Sequence, residues 1–269
     1  MKTKSILCIL MLFCSITLFA QHPLVGTWEM VSIKGTDIDG KPFDLNNTNM
    51  RETKIITPTH YMLIQHTVKG DSVIFSAAHA GTVKFEGNKY IETPTVTSLT
   101  TNGTPKTDFT WKVKGDQFIQ AGTITMPDGR KIMLDELVFK KVKNASVNPK
   151  NPIVGTWNQL SSEFINYDGT IGSHTPPTVT RFWLMTPTHY MLIGHRDNKF
   201  EYAYGGSYLV QKDKIVPNVT VASFNITKGT KYNLSYRMNG NKLYTNGTAI
   251  NAQGKKMTWS DVFEKVGSR

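Results

Sequence analysis

Residues 23–28 read Pro-Leu-Val-Gly-Thr-Trp, and residues 152–157 read Pro-Ile-Val-Gly-Thr-Trp, nearly the same hexapeptide 129 positions later. A second landmark keeps that offset: Thr57-Pro58-Thr59-His60-Tyr61-Met62-Leu63-Ile64 returns as Thr186-Pro187-Thr188-His189-Tyr190-Met191-Leu192-Ile193. Asp39-Gly40 meets Asp168-Gly169, and His66 meets His195. Beyond these the offset falls to 125, pairing Gly81 with Gly206, Gly115 with Gly240, Gly122 with Gly247 and Gly129 with Gly254. About four residues are therefore missing from the second copy between His195 and Gly206. The copies close on Val138-Phe139-Lys140-Lys141-Val142 and Val262-Phe263-Glu264-Lys265-Val266. The chain is one module written twice, over residues 21–142 and 152–269, with a polar linker at 143–151.

Within a module the apolar period is two and turn signals are frequent, so the units are strands. In the first copy they fall at 25–34, 52–57, 59–67, 79–86, 89–97, 106–114, 117–125 and 130–142. Gly87-Asn88, Gly115-Asp116 and Pro127-Asp128-Gly129 supply turns, and Asn239-Gly240 is a strong two-residue hairpin signal in the second copy. No stretch carries a convincing helical period. The segments 36–49 and 166–177, rich in Gly, Pro and Asn, read as long loops covering the barrel mouths. Eight short antiparallel strands in about 120 residues predict an all-β fold of two tandem up-and-down eight-stranded barrels, in preference to sandwiches.

The first 20 of the 269 residues read as an address. Lys2 and Lys4, the apolar run from Ile6 to Phe19, and Ala20 before Gln21 have the form of a cleaved secretory signal over residues 1–20. That apolar run is short against the roughly 20 residues a spanning helix needs, so no transmembrane segment is expected after cleavage. Cleavage removes Cys8 and Cys14, the chain's 2 cysteines, leaving no thiolate nucleophile and no disulfide. It also lowers the formal charge from +11 by the two lysines, to +9. The expected location is secreted or periplasmic. Lys and Arg are dispersed among the strands, which argues against nucleic acid as a partner. Acidic envelope glycan is a partner class compatible with the charge.

Gly26-Thr27-Trp28 on a first strand, together with an aromatic-x-Lys-Val ending on the last, resembles the lipocalin and fatty-acid-binding superfamily (the calycins). The sequence is more closely similar to small secreted bacterial lipocalin-like proteins. The resemblance implies that each first-strand Trp packs beneath a basic residue near the module's end, Trp28 with Lys141 and Trp157 with Lys265. It also implies a ligand-holding barrel. The chain departs from the fatty-acid-binding pattern in lacking a helical lid.

Alternation names the candidate lining. Phe109, Trp111 and Val113 share one strand face and correspond to Leu234, Tyr236 and Met238. His79, Gly81, Val83 and Phe85 share another and correspond to Tyr204, Gly206, Tyr208 and Val210. Large rings with a few polar tips are the composition of a small-molecule cavity, although such faces could equally fill a solid core. Gly81 and Gly206 suggest bulges. On the strand beginning at His60, one face carries His60, Met62, Ile64 and His66, the other Tyr61, Leu63 and Gln65; both are half apolar, so the period does not choose between them. His60 and His189 are either rim histidines or groups that reach the cavity to orient a ligand.

Chemistry beyond binding has little to stand on. His60 and His66 lie about 20 Å apart at roughly 3.3 Å per strand residue, so they cannot share a metal ion, and no cofactor motif is present. The expected function is a binding protein for a small, largely apolar ligand contacted by His60, His79, Phe85, Trp111, His189, Tyr204, Tyr208 and Tyr236. Because His79 is replaced by Tyr204, the two barrels are not expected to bind equally. The alternatives are a cofactor-free isomerase or cyclase using His60 or His79 with Glu92, and a structural envelope protein with filled barrels.

Overall fold

The computed structural model describes residues 22–46, 49–99, 103–143, 151–197, 199–225 and 230–267. The expected signal at 1–20 and most of the expected linker, 144–150, lie outside these residues. The first module contains Gly26–Thr36 (β1), Pro42–Asp44 (β2), Met50–Ile56 (β3), His60–Lys69 (β4), Ser72–Glu86 (β5), Lys89–Thr97 (β6), Lys106–Lys114 (β7), Gln117–Thr125 (β8) and Lys131–Lys141 (β9). The second contains Gly155–Ile165 (β10), Ile171–His174 (β11), Val179–Met185 (β12), His189–Arg196 (β13), Lys199–Gln211 (β14), Lys214–Ala222 (β15), Lys231–Asn239 (β16), Lys242–Ile250 (β17) and Lys256–Lys265 (β18). All pairings are antiparallel, and β1–β9 and β10–β18 close the two sheets into eight-stranded up-and-down barrels. Two expectations are corrected. The long loops each hold a short extra strand, β2 and β11, and β5 begins at Ser72 rather than at 79, extending the hairpin with β4.

The repeated hexapeptide closes one end of each barrel. Trp28 donates its indole N–H to the Leu24 carbonyl at 2.7 Å, and Trp157 repeats this with Ile153 at 2.8 Å. Lys141 lies 5.1 Å from the Trp28 ring centre and donates to the Pro23 carbonyl; Lys265 lies 5.4 Å from Trp157 and donates to that of Pro152. The expected Trp–Lys pairs are thus formed. The motif needs its glycine: Gly26 has φ +144°, and a Cβ there would stand 3.1 Å from Lys141 Cε. Gly81 and Gly206 sit at the expected bulges, where a Cβ would meet a carbonyl oxygen of the adjacent strand at 2.0 Å.

The barrels pack face to face through β3–β6 and β12–β15. Ile55, Met62, Ile64, Ala78, Ala80 and Val96 meet Leu184, Met191, Ile193, Ala203 and Val221 in one apolar cluster. The arrangement is pseudo-twofold: Thr27 Oγ1 meets Thr186 Oγ1 at 2.7 Å, while their repeat-equivalents Thr156 and Thr57 meet at 2.8 Å. Phe75 and its equivalent Phe200 stack on each other, 5.9 Å between centres. This contact settles the face of β4. Tyr61 belongs to the barrel core and Met62 to the interface, so both faces are buried by different partners.

Candidate ligand site

The interior of the first barrel is packed around a buried ion pair. Lys54 Nζ stands 2.9 Å from Glu92 Oε1 and 3.2 Å from Gln120 Oε1, with both charged side chains almost fully buried. The same ammonium lies 5.7 Å from the Tyr90 ring centre and 5.1 Å from that of Phe139. Tyr90, Phe109, Phe118 and Phe139 contact one another ring to ring across the axis. Ile33, Leu134 and Leu137 complete the core, with Phe43, Ile124 and Ile132 packed against it. Glu52 is also inside, accepting from Gln65 Nε2 at 2.7 Å, and burial raises its pKa.

The second barrel is hollow. A cavity of about 490 Å³ occupies its interior, within the usual range for small-molecule sites. Where the first barrel has Tyr90, Phe109 and Phe118, the second has the aliphatic Ile215, Leu234 and Leu243; Ile33 and Ile124 are replaced by Ser162 and Ala249. The rings stand on the walls instead, with Phe164, Trp183, Tyr202, Tyr204, Tyr232 and Trp259 all facing the space. One exchange is reciprocal: Gly35 pairs with Phe43 across β1 and β2, whereas Phe164 pairs with Gly172 across β10 and β11.

A seam between strands borders the cavity. β6 and β7 pair through only two residue couples, as do β15 and β16. In the first barrel Thr107 Oγ1 bridges the splayed strands, donating to the Glu92 carbonyl at 2.8 Å and accepting from the Glu92 N–H at 3.2 Å. The equivalents are Tyr232 and Pro217. Proline has no N–H to offer, and both residues line the cavity.

One polar group in the cavity lies on β10, β12, β17 and β18, while Asn166, His174, Asn225 and Thr230 add polar side chains elsewhere on the lining. Arg181 Nη1 lies 3.5 Å from Asp261 Oδ1 and 3.3 Å from Ser162 Oγ. Asp261 also accepts from Gln159 Nε2 at 3.1 Å and Thr245 Oγ1 at 3.5 Å. Burial raises the Asp261 pKa, opposed by Arg181 and these hydrogen bonds. The guanidinium lies 5.4 Å from the Tyr202 ring centre. Arg181 Nε, Trp183 Nε1, Tyr190 Oη and His174 Nδ1 are buried and have no hydrogen-bond partner in the protein. Burial pushes the Tyr190, Tyr202 and Tyr204 hydroxyls well above their ordinary range, which keeps them protonated donors.

The structure scatters the residues singled out from sequence. His60 and His189 face outward into the contact between barrels, where His60 lies 6.3 Å from the Phe182 ring. They do not reach a barrel interior. His79 and Glu92 are inside the first barrel. There His79 Nδ1 stands 3.2 Å from Tyr61 Oη, and burial lowers the histidine's pKa to about 4. Phe85 and Trp111 help close that barrel's end against His22, which stacks on Phe85 at 3.7 Å. Tyr208 donates to the Thr186 carbonyl at 2.6 Å, and Tyr236 donates to that of Lys212 at 3.3 Å. Tyr204 alone of the eight lines the cavity. Arg181, Trp183, Tyr202, Tyr232 and Asp261 were missed. The signal that exposes four of them is comparison of inward positions between copies: Glu52 against Arg181, Lys54 against Trp183, Ala77 against Tyr202, and Thr107 against Tyr232.

No family model matches the chain, and no curated protein does either. Among solved structures it is similar to a protein of unknown function from the DUF3598 family of Nostoc punctiforme PCC 73102. That match has 9% identity and a TM-score of 0.30, over 90% of this chain and 96% of that one. It is also similar to kievitone hydratase from Nectria haematococca, at 10% identity and a TM-score of 0.24, over 90% and 89%. Among the described residues no helix is long and apolar enough to cross a membrane.

Proposed function

We propose that this is an exported binding protein that holds one small, largely apolar molecule inside its second barrel, with the first barrel as its packed structural partner. Export rests on the leader-like pattern of residues 1–20. The observation that carries the binding reading is the 490 Å³ ring-lined cavity, together with the seam left unbridged at Pro217 and Tyr232. The competing enzyme reading, with His79 and Glu92 as acid and base, would place a substrate where Lys54 already engages Glu92 and rings fill the axis.

Titration of the mature chain with N-phenyl-1-naphthylamine tests the reading. Saturable fluorescence enhancement at one site per chain is expected. No saturable uptake of this probe, or of any apolar probe of similar size, overturns it.

A further inference from the structure

We infer that the ligand of the second barrel is a neutral, ring-bearing molecule presenting an acceptor oxygen, of the aryl ketone type, in preference to a hydrocarbon or a carboxylate. The inference deepens the binding reading above and rests on it.

The first support is a set of donors without partners. Arg181 Nε and Trp183 Nε1 can only donate, and the Tyr190 hydroxyl is held in its protonated form; all three are buried in side chains that line the cavity, where a ligand meets them once those side chains turn toward it, and none has a partner in the protein. They share one wall. Arg181 and Trp183 are alternate residues on β12, Tyr190 is on the adjoining β13, and the Trp183 and Tyr190 rings meet edge to face at 6.3 Å. Buried donors are costly to leave unpaired, so a ligand that supplies an acceptor here is favoured over one that does not. Two of the equivalent positions in the first barrel already have protein partners, Lys54 with Glu92 and Tyr61 with His79, and the third, Glu52, is paired with Gln65 through Oε2 but not through Oε1. The second barrel leaves the corresponding wall to its ligand.

Charge then selects among acceptors. Among the described residues Arg181 is the one Lys or Arg on the cavity wall, and Asp261 already neutralises it, held in place by Gln159 and Thr245. An entering carboxylate would bring a buried charge with no free counter-charge among the described lining residues, whereas a carbonyl oxygen takes the same donors without one. Shape selects the remainder of the molecule. Flat rings stack and edge-pack against Phe164, Tyr204, Tyr232 and Trp259 in a way that a flexible chain does not.

The test compares three probes of one size on the full mature chain: 2-acetylnaphthalene, 2-ethylnaphthalene and 2-naphthoate, each competed against N-phenyl-1-naphthylamine. The ketone is expected to bind at least tenfold tighter than the hydrocarbon, and tighter than the carboxylate at pH 7. In Tyr190→Phe and, separately, Trp183→Phe the ketone-to-hydrocarbon ratio is expected to fall severalfold toward one. The hydrocarbon's own binding reports that each variant is folded. Equal affinity for ketone and hydrocarbon, tightest binding of the naphthoate, or a ratio unchanged in both variants overturns the inference while leaving the binding reading intact. Failure of all three probes and of the reporter overturns the binding reading, and this inference with it.

Discussion

In the first barrel the rings of Tyr90, Phe109, Phe118 and Phe139 meet at the axis around the Lys54–Glu92 pair; at the same positions the second barrel carries Ile215, Leu234, Leu243 and Phe263, and its rings line the walls. The backbone, the closed end and the Trp–Lys pair are common to both. A duplicated module can therefore divide its labour by moving aromatic volume from axis to wall, without altering strand order. The buried charges show the same divergence. Among the described residues each barrel interior holds one buried ion pair, but Lys54–Glu92 and Arg181–Asp261 occupy non-equivalent positions, the second sitting beside space and the first sealed from it.

The largest expected effect breaks the first barrel's plug. Lys54→Met leaves Glu92 buried without its cation and is expected to destabilise the first domain by about 3–5 kcal/mol. Denaturant unfolding should show the loss, and Lys54→Met combined with Glu92→Leu should recover most of it. A single variant that unfolds at the wild-type midpoint would mean that the pair is not sealed.

A comparable effect concerns acid. His79 has a pKa of about 4 in the folded chain against an ordinary 6.5, so between these values the unfolded chain binds a proton that the folded chain does not. Stability from this group is complete above pH 6.5 and is lost as pH falls toward 4, by on the order of 3 kcal/mol. His79→Tyr, which copies Tyr204, should flatten that part of the stability–pH curve. An unaltered slope would place the titration elsewhere.

Much of the fold could be read directly from sequence. Two copies of the Gly-Thr-Trp motif, the hairpin signals and the period of two specify closed barrels, because each is a local feature with one geometric meaning. The face of β4 could not be read, since His60, Met62 and Ile64 on one side and Tyr61 and Leu63 on the other are all at least partly buried: one set by the neighbouring barrel, one by the core. Hollowness was hidden for another reason. Whether Ser162, Ala249 and Leu234 leave space depends on where Trp259 and Tyr232 point, which alternation does not specify.

A transplant sharpens the contrast directly. Ala249→Ile gives the second barrel the side chain that Ile124 supplies to the first, and is expected to weaken uptake of N-phenyl-1-naphthylamine about tenfold, or about 1.4 kcal/mol, with the melting temperature little changed. Undiminished uptake would locate the probe outside the barrel. The smallest expected effect lies at the shared closed end. Lys141→Met and Lys265→Met should each cost about 0.5–1 kcal/mol by thermal unfolding, equally in the two domains, through loss of the cation over Trp28 or Trp157. Unequal costs would show that the ends have diverged as the interiors have.

The most direct test of the division between barrels is a residue-resolved NMR titration of the mature chain with N-phenyl-1-naphthylamine. Saturation is expected at one probe per chain, with shifts concentrated on Trp183, Leu192, Ala249 and Trp259 and none beyond background at Phe109, Phe118 or Phe139. Equal shifts in both interiors, or saturation at two equivalent probes per chain, would contradict it.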